Sequence, residues 1–269
     1  MKRLTVLIGL ICSGLVVLAG LVSLVWTPFD PSATSSQPNA PLGWPHLLGT
    51  NYLGIDTASR ILVGAQTTLL VGVLAVAIAA VVGVPLGIYS GMGHKIAGEI
   101  IARGSDILFA LPALLLAILF AAALKPSVAT ATVAIGISTI PVFQRMARAA
   151  TLTVMSQDYI LAARVSGTPG TVIAARHVLP NIAPLLGVQA AASFSMAILA
   201  EAGLSYLGLS APLTTPTWGR MLRDANTHIF ADPVQAVIPG AAIVVAVMGF
   251  NLLGDGLRDY LDPRLKEVR

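Results

Sequence analysis

Apolar residues in this chain gather in long charge-free blocks, not in short amphipathic repeats. Six blocks stand out, at residues 5–26, 65–93, 107–124, 128–144, 182–200 and 234–253. A helix needs about 20 apolar residues to cross the roughly 30 Å hydrocarbon layer, and each block holds or approaches one such helix. The expected fold is all-α, with six membrane spans. The first block follows Met1-Lys2-Arg3, as a secretory signal does, yet its 22 residues suffice to span and no small-x-small cleavage site clearly ends it. It reads as a retained first helix, with Trp26 marking the membrane interface. Within the second block, Gly83 and Gly87 lie one turn apart on one face, a spacing that lets helices approach closely, and Pro85 introduces a kink.

Between the blocks the pattern changes. Residues 27–64 are polar and rich in proline, and their last part, from His46 to Arg60, has the look of an ordered segment. Residues 145–181 form the longest charged interval, and residues 201–233 form a second turn-rich loop containing Trp218. The expected division is an N-terminal helix plus external segment over residues 1–64. A core with five spans follows over residues 65–269, with a cytoplasmic loop at 145–181 and an external loop at 201–233.

Composition agrees: 56% of residues are hydrophobic and 10% charged, against roughly 25% charged in soluble domains. The net charge of +4 belongs to topology and not to nucleic acid, because the basic residues form no patch or aromatic-interleaved stripe. With the N-terminus inside, six spans place twelve Lys and Arg residues in the cytoplasm. Only Arg60, Lys125, Arg220 and Arg223 fall outside. Both termini are then cytoplasmic.

Several chemistries lack their residues. All twelve Asp and Glu residues sit at span ends or in loops, which argues against a proton relay of the kind secondary carriers use. The four histidines have no i, i+4 pair and no neighbouring cysteine, so no metal site is expected. The single cysteine, Cys12, can form no intrachain disulfide. The stretch from Gly203 misses the nucleophile-elbow spacing of serine hydrolases. None of the four lysines sits in a phosphate-binding loop, so ATP chemistry would have to come from another subunit.

The loop at 145–181 has mechanical features. Residues 159–166 suit a helix that stops at Gly167; Thr168 and Pro169 suit the N-cap and first position of the next, which Leu179-Pro180 then ends. Ala162, Ala163 and Gly167 leave room for a partner to approach. The segment resembles the signature loop of ABC importer permeases: Leu161-Ala162-Ala163, three residues, Gly167, nine residues, then His177-Val178-Leu179-Pro180. Leu161 stands in place of that motif's acidic residue, with Asp158 three positions earlier, and His177 stands in place of an apolar one. Three further stretches resemble the second permease subunit of the dipeptide/oligopeptide/nickel branch. They are His46 to Asp56 with Ser59-Arg60, Glu201 to Leu209 with Pro216-Thr217-Trp218-Gly219, and Phe250 to Leu265. Asn51 and Ile55 depart from that branch's pattern.

The resemblance implies the type I importer permease fold in the bacterial cytoplasmic membrane. It implies a homologous permease partner, two cytoplasmic ATPase subunits or domains that bind ATP and Mg, and an extracytoplasmic binding protein. No cofactor is expected in this chain itself. The implied ATPase-coupling loop comprises Asp158, Leu161, Ala162, Ala163, Gly167, His177, Leu179 and Pro180. On the outer side, Asp56, Arg60, Glu201 and Trp218 are candidates for receptor or gate contacts. The carboxylates have the alternative of capping helices or pairing with arginine, and Trp218 that of anchoring at the bilayer surface. Asp255, Arg258 and Asp262 are expected to organise the end of the last span. Short peptides are the implied solute, with nickel complexes as the alternative within the branch and a stand-alone carrier or channel outside it.

Overall fold

The computed structural model describes residues 2–93, 95–110, 112–212, 215–230 and 232–261. His94 and the C-terminal residues from Asp262 onward, including part of the last sequence signature, lie outside the described residues. Among the described residues all regular structure is helical, and the one extended pairing is an isolated bridge between Thr50 and Asp56. The helices are α1 (Lys2–Val22), α2 (Thr57–Gly91), α3 (Lys95–Ala110), α4 (Ala113–Ala123), α5 (Val128–Met155), α6 (Asp158–Val165), α7 (Gly170–Ile173), α8 (Leu179–Tyr206), α9 (Trp218–Asn226) and α10 (Val234–Leu261).

Among the described residues, four segments are long and apolar enough to cross a membrane: Leu4–Val22, Thr57–Gly91, Gly170–Tyr206 and Val234–Tyr260. The expected third span at 107–124 is not one straight helix. α3 ends at Ala110, Pro112 is extended (φ −52°, ψ 128°), and α4 starts at Ala113, with a bend of 83° between Ile96–Ala110 and Leu114–Ala123. Proline supplies no N–H and disfavours helix in the residue before it, so the break falls there. If that bent pair crosses once, it makes a fifth span. α5 is long enough as well, but Thr130, Thr132, Ser138, Thr139, Gln144 and Arg145 dilute its apolar character.

α2 is the central element, and its tightest neighbour is α5. The glycine spacing expected to allow close approach continues for a further turn, through Gly83, Gly87 and Gly91. A Cβ added to these would lie 2.7 Å from the Ile140 carbonyl, 2.5 Å from the Gln144 carbonyl and 2.7 Å from Thr151 Cβ, respectively. Inside a bilayer no hydrophobic force draws helices together, so contact of this kind is itself the main source of association. Gln144, fully buried in the contact, donates from Nε2 to Ser90 Oγ at 3.3 Å. α1 lies against α10 on the same principle, with a Cβ on Gly249 falling 2.6 Å from the Ser13 nitrogen.

The charged interval folds back onto this frame. Ile160 of α6, Ile173 of α7, and Val178 and Ile182 beyond them join a buried cluster with Ile88, Phe143 and Ala147. Leu179-Pro180 does not end a helix as expected. α7 continues through a π turn, Ala174–Val178, into α8, with the Leu179 N–H reaching back to the Ala174 carbonyl. A proline ring crowds the carbonyl four residues back, and a widened turn directly ahead of it accommodates that ring without breaking the rod. The expected Thr168 cap is also displaced: α7 begins at Gly170, and Pro169 is its extended N-cap without a side-chain bond.

Candidate functional site

Two regions hold the residues singled out by sequence. The first is the elbow made by α6, α7 and the π turn. Asp158 opens α6 and Arg164 lies in its last turn, both matching the helix dipole. The helix closes through Ser166 N–H to Ala162 O (3.0 Å) and Thr168 N–H to Ala163 O (3.0 Å) around Gly167, whose φ is +76°. That left-handed conformation suits glycine, and a Cβ there would meet nothing within 4 Å.

Ile160 faces inward, while Leu161 and Val165 are 52% and 89% exposed. Asp158, Ala162, Gly167, Leu179 and Pro180 are also exposed, and Ala163 and His177 are half-buried. The His177 ring faces Tyr159 at 6.1 Å, and Asn181 Nδ2 donates to the His177 carbonyl at 2.6 Å. Arg164 Nη2 approaches the Met92 carbonyl at the end of α2 (3.5 Å). The elbow thus has an inner face locked into the core and an outer face with unpaired apolar side chains.

The second region lies at the other end of α2. Asp56 is its N-cap: Oδ2 accepts from Ser59 N–H and Ser59 Oγ, each at 2.8 Å, while Oδ1 pairs with His46 Nδ1 at 2.9 Å. Ser59 Oγ in turn accepts from Phe29 N–H at 2.9 Å. Asn51, a departure from the branch pattern, keeps an acceptor at its position: Oδ1 takes the Leu53 and Ile55 N–H groups at 3.0 and 2.9 Å. Arg60 and Arg220 converge on Asp224, at 3.6 and 3.4 Å.

The four outer residues considered for receptor or gate contacts all have buried side chains in this chain. Asp56 and Arg60 act within the chain as a helix cap and an ion-pair partner, the alternative that the sequence left open. Glu201 lies in the final turns of α8, not in a loop, and its Oε1 accepts from Ser210 Oγ at 3.2 Å. Trp218 opens α9 in the core rather than at the bilayer surface. Its indole N–H donates to the Ile61 carbonyl at 3.0 Å, and its ring fills the space above Gly64. Sequence reasoning missed Ser210 and Asp224; Ser210 reaches Glu201 across the turn after α8, and Asp224 meets Arg60 from a segment distant in sequence.

Replacing Asp56 by alanine removes the α2 cap and leaves buried His46 and Ser59 without their shared acceptor. A cap is worth about 1 kcal/mol and an orphaned buried partner about 1–3 more. The expected result is a melting transition in detergent lower by about 5 °C or more. Asp56→Asn, an equally good cap, should lose less than half of that.

Residues 83–267 match the family described as "Binding-protein-dependent transport system inner membrane component". The chain belongs to this family. It is a multi-pass inner membrane component of an ABC transport system, and the matched region takes in the elbow, Glu201 and Trp218 but begins after Asp56 and Arg60. It is 40% identical over 268 residues to the di/tripeptide transport system permease protein DppC of Pseudomonas aeruginosa, covering 97% of this chain and 88% of the relative. To the glutathione transport system permease protein GsiD of Pectobacterium atrosepticum it is 41% identical over 221 residues, covering 82% of this chain and 73% of the relative. Among solved structures, a chain of the inward-facing MetNI methionine ABC transporter shares the fold. The TM-score is 0.63 at 16% identity, over 76% of this chain and 97% of that one.

Proposed function

We propose that this inner membrane component is one permease subunit of an ATP-driven importer that carries short peptides across the bacterial cytoplasmic membrane. The carrying observation is its 40% identity along nearly the whole chain to a di/tripeptide permease. The reading has six crossings, α1, α2, the α3–α4 pair, α5, the α7–α8 rod and α10, with both termini in the cytoplasm; the four long apolar segments, the bent pair and the one-sided distribution of Lys and Arg support it.

The elbow is the ATPase contact. Ile160, Ile173 and Val178 lock its inner face to α2 and α5, while Leu161, Val165 and Leu179 stay exposed for a partner. Asp158, Ala162, Ala163, Gly167, His177 and Pro180 shape that surface. ATP and Mg act on the two ATPase subunits or domains, a homologous permease completes the membrane path, and an extracytoplasmic binding protein delivers the solute.

The test is reconstitution of the co-expressed subunits in liposomes with a radiolabelled dipeptide. Uptake should require ATP, Mg and the binding protein, and vanadate should abolish it. Equal uptake by this chain alone without nucleotide would overturn the reading in favour of a stand-alone carrier or channel.

A further inference from the structure

Two concavities of about 720 and 410 Å³ open between α5 and α8, the larger also lined by Leu114, Leu222, Gly240 and Ile243. They share Ser138, Thr139 and Met196, so they are one groove. Its α8 wall runs from Gln189 to Tyr206, about 26 Å at 1.5 Å per residue, close to the thickness of the hydrocarbon layer. The smaller part is polar: Ser138 and Thr139 on α5 line it together with Gln189 and Ser193 on α8. Among the described residues, no acidic or basic side chain lines either part.

The hydroxyls of Ser138 and Thr139 each donate to the Ile135 carbonyl at 2.8 Å, which leaves their lone pairs for another donor. Gln189 Nε2 donates to Ser193 Oγ at 3.0 Å, and its amide oxygen has no partner among the described residues. Ser193 is itself buried; turning the Gln189 carboxamide and the Ser138 and Thr139 hydroxyls toward lipid at mid-span would cost several kcal/mol. By contrast, the outward face of α1 carries Leu4, Leu7, Leu15 and Leu18. The two surfaces were made for different surroundings.

Resting on the importer reading above, we infer that Ser138, Thr139, Gln189 and Ser193 line the solute path and hydrogen-bond the amide groups of the passing peptide. A neutral strip of donors and acceptors fits backbone amides and is indifferent to the charge of solute side chains. Selection by charge then falls outside this groove.

The test uses the assembled importer with Cys12→Ser, which removes the chain's only cysteine, and single Ser138→Cys or Gln189→Cys variants. The probe is a membrane-impermeant methanethiosulfonate reagent. Both positions should be modified, and dialanine with ATP should slow the modification at least fivefold. Leu15→Cys on the α1 face should remain unmodified. In the wild-type background, Gln189→Leu should raise the apparent KM for dialanine about 3–10-fold, the loss of one neutral hydrogen bond. A complex that imports dialanine while both cysteines stay unmodified in every nucleotide state would overturn the inference and mean the strip is covered by the partner chain. A wild-type complex that imports no peptide would instead overturn the importer reading.

Discussion

Gly87→Leu is expected to eliminate the folded protein from membranes. The added Cβ would sit 2.5 Å from the Gln144 carbonyl oxygen and 2.6 Å from Ala147 Cβ. Neither neighbour can rotate away, since one is backbone and the other has no further side chain. α2 and α5 would have to separate, opening the cluster of Ala79, Ile88 and Phe143 and breaking the Gln144–Ser90 bond. Overpacking costs about 1–3 kcal/mol, and the lost interhelical contact adds to it. Together these consume much of a margin of about 5–15 kcal/mol. Gly14→Leu is the control, because a Cβ on Gly14 meets nothing within 4 Å. The measurement is membrane abundance and melting by fluorescence-detected gel filtration. Wild-type values for Gly87→Leu would refute the α2–α5 contact.

Gly167→Val is expected to do the opposite: leave the fold intact and abolish coupling. No atom opposes the new side chain, so the whole effect is on the backbone, where a β-branched residue at φ +76° costs about 1–3 kcal/mol. The elbow would relax that strain by changing the angle between α6 and α7. Ile160 and Ile173 would still anchor it, so abundance and melting should hold. In the reconstituted importer, peptide uptake should fall at least tenfold while basal ATP hydrolysis persists. Gly167→Asn, which tolerates the left-handed conformation, should keep most of the uptake. Normal uptake by the valine variant would refute the coupling role.

Much of the molecule was legible from the chain. The apolar blocks located α1, α2, α8 and α10, because a helix that meets lipid must be apolar over its length. Gly83 and Gly87 announced a close helix contact, although not which helix would fill it. The elbow's position followed from its turn residues and motif spacing. Boundaries at proline were less legible: Pro112 breaks a helix and Pro180 does not, although each is disfavoured in a helix interior. The difference lies in surroundings, since Val178 and Ile182, on either side of Pro180, are held in the core cluster and hold the rod together through a π turn.

The outer residues show the remaining gap. Asp56, Arg60, Glu201 and Trp218 are the polar and aromatic residues that a sequence reading assigns to exposed loops, and here each side chain is buried against a partner. For Arg60 and Trp218 those partners, Asp224 and Ile61, lie far away in the chain, while Asp56 and Glu201 meet His46, Ser59 and Ser210 across local turns. By itself the sequence determined that the chain is a helical membrane protein of the importer family, where most of its apolar helices lie, and which residues form its elbow. Only the tertiary structure decided which polar groups are satisfied inside and which remain turned outward along the α5–α8 groove. Hydropathy is a property of each residue, whereas a hydrogen bond needs two groups that only folding brings together.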